Sequence, residues 1–181
     1  MANGKTMKWE TFETELKERE QAIVSMLPQH VGKQRFINSA IAAVKQTPDL
    51  LTATPRSLFA AVTKSAQDGL LPDGREGVIT LYKEKQKDGS WLNVAQWNPM
   101  TFGLRKRARE LDGVIVNAQV VHENDRFVRH EGDDPRIEHA PAQLGQPRGS
   151  MIGAYAIIRN EDHILHREVM DAAQIEAVRT Q

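Results

Sequence analysis

Between Gly69 and Gly77 the apolar residues of this chain change their period, and that change constrains the fold more than any other feature. Before it, large apolar side chains recur every three or four residues, the spacing of one helix face. After it, Val, Ile and Tyr gather in short runs bounded by turn residues, the habit of strands. The order predicts an α+β fold: a helical N-terminal region, then a β-hairpin and a small antiparallel sheet packed with helices, framing a basic groove. At 181 residues the chain is expected to be a single domain.

Trp9, Phe12, Leu16, Ile23 and Met26/Leu27 mark a first helix over about Lys8–Leu27, with Pro28 as its stop. Its apolar seam is expected to dock on its own domain or on a neighbouring subunit. A second helix spans about Gln34–Gln46. The third is punctuated by Thr54 as N-cap, Pro55 in the first turn and Gly69 past the end. Gly77–Tyr82 and Trp91–Gln96 read as the strands of a hairpin whose turn holds Asp88-Gly89. Asn98-Pro99 opens a further helix that Gly113 closes. Strands are expected over Gly113–His122, Arg126–Glu131, Ile152–Arg159 and His163–Met170. Asp171 with Gln174 forms a capping box for a last helix. Gly132–Ser150, with three prolines, reads as a long loop.

Charge is where function first shows. The formal net charge is zero, which excludes a uniformly basic polyanion binder. Yet Lys83–Arg109 carries seven basic residues against two acids, a net of +5, and Glu110–His139 carries eight acids against three arginines, a net of −5. Such segregation gives the fold a positive face for a polyanion, unless folding interleaves the two segments.

At 100° per residue, Met100, Leu104, Ala108 and Leu111 share a narrow arc of the fourth helix and are expected to face the core. Arg105, Lys106 and Arg109 fall on the opposite arc with Phe102, while Arg107 sits near the apolar edge and is expected to snorkel. Cations around an aromatic ring suit a single strand, the charges tracking phosphates and the ring stacking on a base. Phe102 is open instead to being covered by another element, and Trp97, as a strand tryptophan, to being core. Lys83, Lys85 and Lys87 near the hairpin tip, with Gln96-Trp97 at its base, line the same groove if hairpin and helix frame it.

Several chemistries find no support. Cysteine is absent, which excludes disulfides and thiolate metal sites and fits the cytoplasm. No run approaches the ~18 apolar residues of a membrane span, so a soluble protein is expected. Gly4-Lys5-Thr6 lacks the upstream glycine of a phosphate loop, and Pro72-Asp73 lacks the downstream carboxylate and lysine of a nuclease. The six histidines have no metal-ligand spacing. No cofactor, no metal and no enzymatic activity are expected. A DNA nuclease with paired carboxylates and Mg²⁺, or a structural oligomer that binds no DNA, are the competing readings.

The sequence also resembles the RecT family of phage single-strand annealing proteins, over nearly its whole length. The matching motifs run in order: Leu27-Pro28-Gln29-His30, Arg35-Phe36, Gly69-Leu70, Pro72-Asp73-Gly74-Arg75-Glu76, Gln96-Trp97-Asn98 and Leu104-Arg105-Lys106-Arg107-Ala108. Val120-Val121-His122-Glu123-Asn124-Asp125-Arg126-Phe127, Glu138-His139-Ala140-Pro141, Arg148-Gly149 and Gly153-Ala154-Tyr155-Ala156 follow, and Val169-Met170 with Glu176 and Arg179 close the series. The resemblance implies a positively charged groove, assembly into rings or helical filaments, ATP-independent annealing of complementary single strands through an annealed duplex intermediate, and a partner exonuclease. The family's usual glycine is replaced where Asn98-Pro99 stands. The family also continues past Gln181 with a helical segment rich in Lys and Arg, so this chain is expected to be truncated. The expected DNA contacts are Lys83, Lys85, Gln96, Trp97, Phe102, Arg105, Lys106, Arg107 and Arg109, to which the matched motifs add Arg75 and Arg148.

Overall fold

The computed structural model describes residues 6–161 and 163–180, apart from the side chains of Leu111 and Asp112. Gly4 and Lys5, and the expected core position of the Leu111 side chain, lie outside the described residues. The fold is α+β, and the chain forms two compact units that divide between Arg107 and Ala108.

The first unit opens with α1 (Trp9–Val24), α2 (Lys33–Gln46), a 3₁₀ turn at Pro48–Thr52 and α3 (Pro55–Asp68). The seam of α1 docks within its own unit: Phe12, Leu16 and Ile23 are buried, and Phe12 stacks on Phe59 of α3 at 5.6 Å between ring centroids. Phe36, Ala40 and Val44 of α2 and Leu58, Val62 and Ala66 of α3 complete the helical core. Each fully buried large apolar side chain contributes about 1.5–3 kcal/mol.

Both ends of α3 follow local chemistry. The Thr54 hydroxyl accepts the Ser57 N–H at 3.3 Å. Gly69 sits at φ 68°, where a side chain is strained, and a Cβ there would come within 2.8 Å of Pro28.

The hairpin of β1 (Gly77–Lys85) and β2 (Trp91–Pro99) lies against α3. Its register pairs Ile79 with Trp97, Leu81 with Ala95, Lys83 with Asn93 and Lys85 with Trp91. Side chains alternate across a strand, so this set shares one face. That face is buried at the Ile79/Trp97 end and exposed at the Lys85/Trp91 end. The turn closes through Gln86 N–H to the Ser90 carbonyl at 2.8 Å, with Gly89 at φ 83°. Asp88 accepts the Ser90 hydroxyl and backbone N–H at 2.6 and 2.9 Å, and these bonds lower its pKa. From Pro99 the chain turns directly into α4 (Thr101–Asp112).

In the second unit β3 (Ile115–His122), β6 (Met151–Asn160) and β7 (His163–Asp171) form an antiparallel sheet in the order β3-β6-β7, followed by α5 (Ala172–Arg179). Both reciprocal bonds of the Asp171–Gln174 capping box are present.

The long loop expected over Gly132–Ser150 needs correcting. It contains β5 (Arg136–Ala140), which pairs with β4 (Arg126–His130). Pro135 and Pro141 flank this strand instead of interrupting it, so they do not block its ladder.

Candidate nucleic-acid interface

The turn 72–76 is built by its own side chains. Asp73 accepts the backbone N–H groups of Arg75 and Glu76 at 2.9 and 2.8 Å, and Gly74 takes φ 76°. This Asx-type turn tucks Glu76 inward, where it is buried, and projects Arg75 outward.

Glu76 then organises α4. Its Oε2 accepts the Leu71 N–H at 2.9 Å, both its oxygens hold the Lys106 ammonium at 3.0 Å, and its carbonyl accepts the Met100 N–H at 2.9 Å. A charge this deep persists because it is paired and hydrogen-bonded. The helix backbone comes closest at Gly103, where a Cβ would meet the Glu76 carbonyl oxygen at 2.0 Å. One turn on, the Arg107 guanidinium binds Asp68 Oδ1 at 2.7 Å.

So α4 docks by the edge that carries Gly103, Lys106 and Arg107, and not by Met100 and Leu104 of the expected arc. Leu104 is 51% exposed and Met100 is exposed too, while Ala108 is half-buried. Two ion pairs and a missing side chain fix the docking, and none of these registers as hydrophobicity.

The consequence is a sorting of the cations. Lys106, expected on the solvent face, is held by Glu76, and Arg107 is partly exposed but bound to Asp68. Arg105 and Arg109 are exposed and lie three and seven residues beyond Phe102, on the same side of the helix. Phe102 is 45% exposed, and the Arg75 guanidinium sits over its ring at 4.1 Å from the centroid. This cation–π pair joins the turn to the helix and presents a flat, positively charged stack.

The remaining expected contacts are placed as follows. Trp97 is 4% exposed, lies against Gly77 and donates its indole N–H to Asp68 Oδ2 at 2.8 Å. A ring enclosed in this way is closed to a base; Trp97 is the core residue the sequence left open. Gln96 is exposed on the opposite face of the hairpin from Lys83 and Lys85, which are also exposed.

Arg148 belongs to the second unit, where Asp125 gathers a polar network. The Asp125 carboxylate has no exposed surface and accepts the Ala142 N–H at 3.0 Å, the His122 N–H at 3.0 Å and Arg148 Nε at 3.0 Å. His139 Nε2 lies 3.1 Å from it, and because an ionised carboxylate only accepts, that nitrogen carries the proton. The other ring nitrogen, Nδ1, lies 3.3 Å from the Tyr155 hydroxyl. The Arg148 guanidinium holds the Asp125 carboxyl far below the usual carboxylate range and outweighs the opposing effect of burial. The same contact raises the pKa of Arg148. Arg148 thus ties the 141–150 segment to the β3–β4 turn.

Sequence reasoning passed over three residues. Glu76 and Asp125 stand in the matched motifs, but nothing in the sequence gave either of them a role. Trp91 did carry one: it lies on the same hairpin face as Trp97, next to the turn and therefore beyond the core.

Among the described residues, no three His, Asp or Glu side chains gather as a metal site, and no helix is long and apolar enough to cross a membrane.

Comparison with known proteins gives two matches. The profile of the RecT family matches residues 34–181. Protein RecT of Escherichia coli (strain K12) is 28% identical over 163 residues, which cover 88% of this chain. The match spans 60% of that protein's own length.

Proposed function

Because the chain belongs to the RecT family, we propose that it binds single-stranded DNA without reading its sequence and anneals complementary strands without ATP, in homologous recombination. The observation that carries this reading is the Arg75–Phe102 stack, 4.1 Å from guanidinium to ring centroid, beside the exposed Arg105 and Arg109. Annealing needs a surface that offsets the repulsion between two polyanions and leaves base edges free to meet. Exposed arginines supply the first by displacing counterions from phosphates, and such contacts carry no sequence information. Base pairing does the reading, so the reaction asks for no catalytic group from the protein.

Lys83 and Lys85, exposed on the hairpin, add further cations for the same backbone. A chain of zero net charge grips DNA best when several copies align their basic segments, since each added contact then forms at high effective concentration. A homo-oligomer, ring or helical filament, working in the cytoplasm beside an exonuclease that makes the single strands, belongs to the same proposal.

The test is a fluorescence annealing assay with two complementary labelled oligonucleotides, without ATP. Pairing faster than the protein-free rate, and slowing as salt is raised, is the expected result. An unaccelerated rate at low salt overturns the proposal.

A further inference from the structure

We propose that Trp91 is a second base platform: the free end of the β1–β2 hairpin takes an unstacked nucleobase onto its indole, with Lys83 and Lys85 against the neighbouring phosphates. This rests on the single-strand reading above and extends it to a residue outside the α4 face. Trp91 is 58% exposed, whereas Trp97, three pairs along the same hairpin face, is enclosed. A ring of that size left in water forgoes a large apolar burial, and such rings are commonest where a ligand supplies the cover.

The backbone that carries Trp91 is held on both sides. Two residues further along, Asn93 accepts the Thr54 N–H at 2.9 Å and donates its side-chain amide to the Thr52 hydroxyl at 2.8 Å. Just before it, Ser90 is bound by Asp88 and closes the turn. The platform is therefore preorganised, and little order is lost when a base lands on it. Its neighbours choose the ligand. Lys85 is paired directly opposite Trp91 and Lys83 stands one same-face position further in, both exposed. Two ammonium groups beside one indole complement a nucleotide, whose base needs stacking and whose phosphates need cations. Tyr82, the other exposed aromatic of this hairpin, is paired with Val94 on the opposite face, where Glu84 also points. It lacks that complement and serves as the control.

The experiment titrates the chain with oligo-dT and follows tryptophan emission and affinity across a salt series. Trp97 is enclosed and Trp9 is half-buried with Lys45 over its ring, so a bound base reaches Trp91 first. The expected results are that oligo-dT quenches the emission, that Trp91→Phe loses most of the quench, and that Trp91→Ala binds about 5- to 150-fold more weakly. The salt slope of Trp91→Ala stays unchanged because no charge was removed. Tyr82→Ala binds like the parent, and an abasic strand removes the difference between parent and Trp91→Ala.

Parent protein that binds dT while Trp91→Ala binds equally tightly overturns the platform and leaves the single-strand reading intact. A Trp91→Ala chain of lower mass by light scattering, with unchanged binding per protomer, makes the ring a subunit contact and equally overturns it. Parent protein without salt-sensitive binding overturns the underlying reading instead.

Discussion

Replacing Lys106 with alanine strands the Glu76 carboxylate. Both oxygens of this buried group face the ammonium at 3.0 Å, and the Leu71 N–H donates to one of them at 2.9 Å. Breaking a buried ion pair from one side costs about 3–5 kcal/mol, because the remaining charge keeps its desolvation penalty without its partner. Here the Lys106 side chain is 27% exposed, so water can enter the vacated space, and the expected loss falls to about 2–3 kcal/mol. Urea unfolding followed by tryptophan emission is a suitable assay, since Trp9, Trp91 and Trp97 all belong to the first unit. With slopes of about 1–3 kcal/mol per molar urea, the midpoint should fall by ~0.7–3 M at unchanged slope. Combining Lys106→Met with Glu76→Gln should recover most of the loss, because neither side then carries an unpaired charge. A midpoint shift under ~0.3 M for Lys106→Ala, or no recovery in the double variant, would refute the reasoning.

Two further outcomes follow from the packing. Gly77→Ala forces a Cβ to within 2.0 Å of the Trp97 ring; the indole must leave its slot, with a loss of about 1–3 kcal/mol and a red shift of the emission. In the second unit, Asp125 has a pKa depressed below its ordinary 3.8, so its stabilising contribution is complete above that value and fades as pH falls through the lower, folded-state pKa. Protease resistance of the 141–150 segment should therefore hold level through neutral pH and decline only in strong acid, and Asp125→Asn should abolish it at neutral pH by leaving Arg148 without its counter-charge.

Much of the fold was legible where local chemistry decides it. Thr54, Pro55 and Gly69 bracket α3 as read, the Asp171–Gln174 box opens α5, and Asp88-Gly89 sits in the hairpin turn. In each case the residue acts on its own backbone, so no distant partner can override the signal. The orientation of α4 was not legible. The face calculation weighs Met100 and Leu104 heavily and gives no weight to Gly103, yet the absence of a side chain there is what lets the helix settle on the Glu76 carbonyl. For the same reason the cations could not be sorted. Arg105 and Lys106 look alike in sequence, and only Glu76, thirty residues upstream of Lys106, separates a structural lysine from an exposed arginine. The two hairpin tryptophans were likewise divided by depth along one face and not by pattern. The β5 strand escaped because prolines normally punctuate loops, whereas here Pro135 and Pro141 mark its ends.

The central claim, that the exposed arginines of α4 grip phosphates, is tested most directly by the salt dependence of single-strand affinity in Arg105→Ala combined with Arg109→Ala. Each phosphate contact contributes about 0.7 to the slope of log K against log salt, so the double variant should lose ~1.4, equivalent to a roughly sevenfold change across a fourfold rise in salt. The ion-paired Lys106, replaced by alanine, should leave that slope where it was. An undiminished slope in the arginine variant would contradict the account.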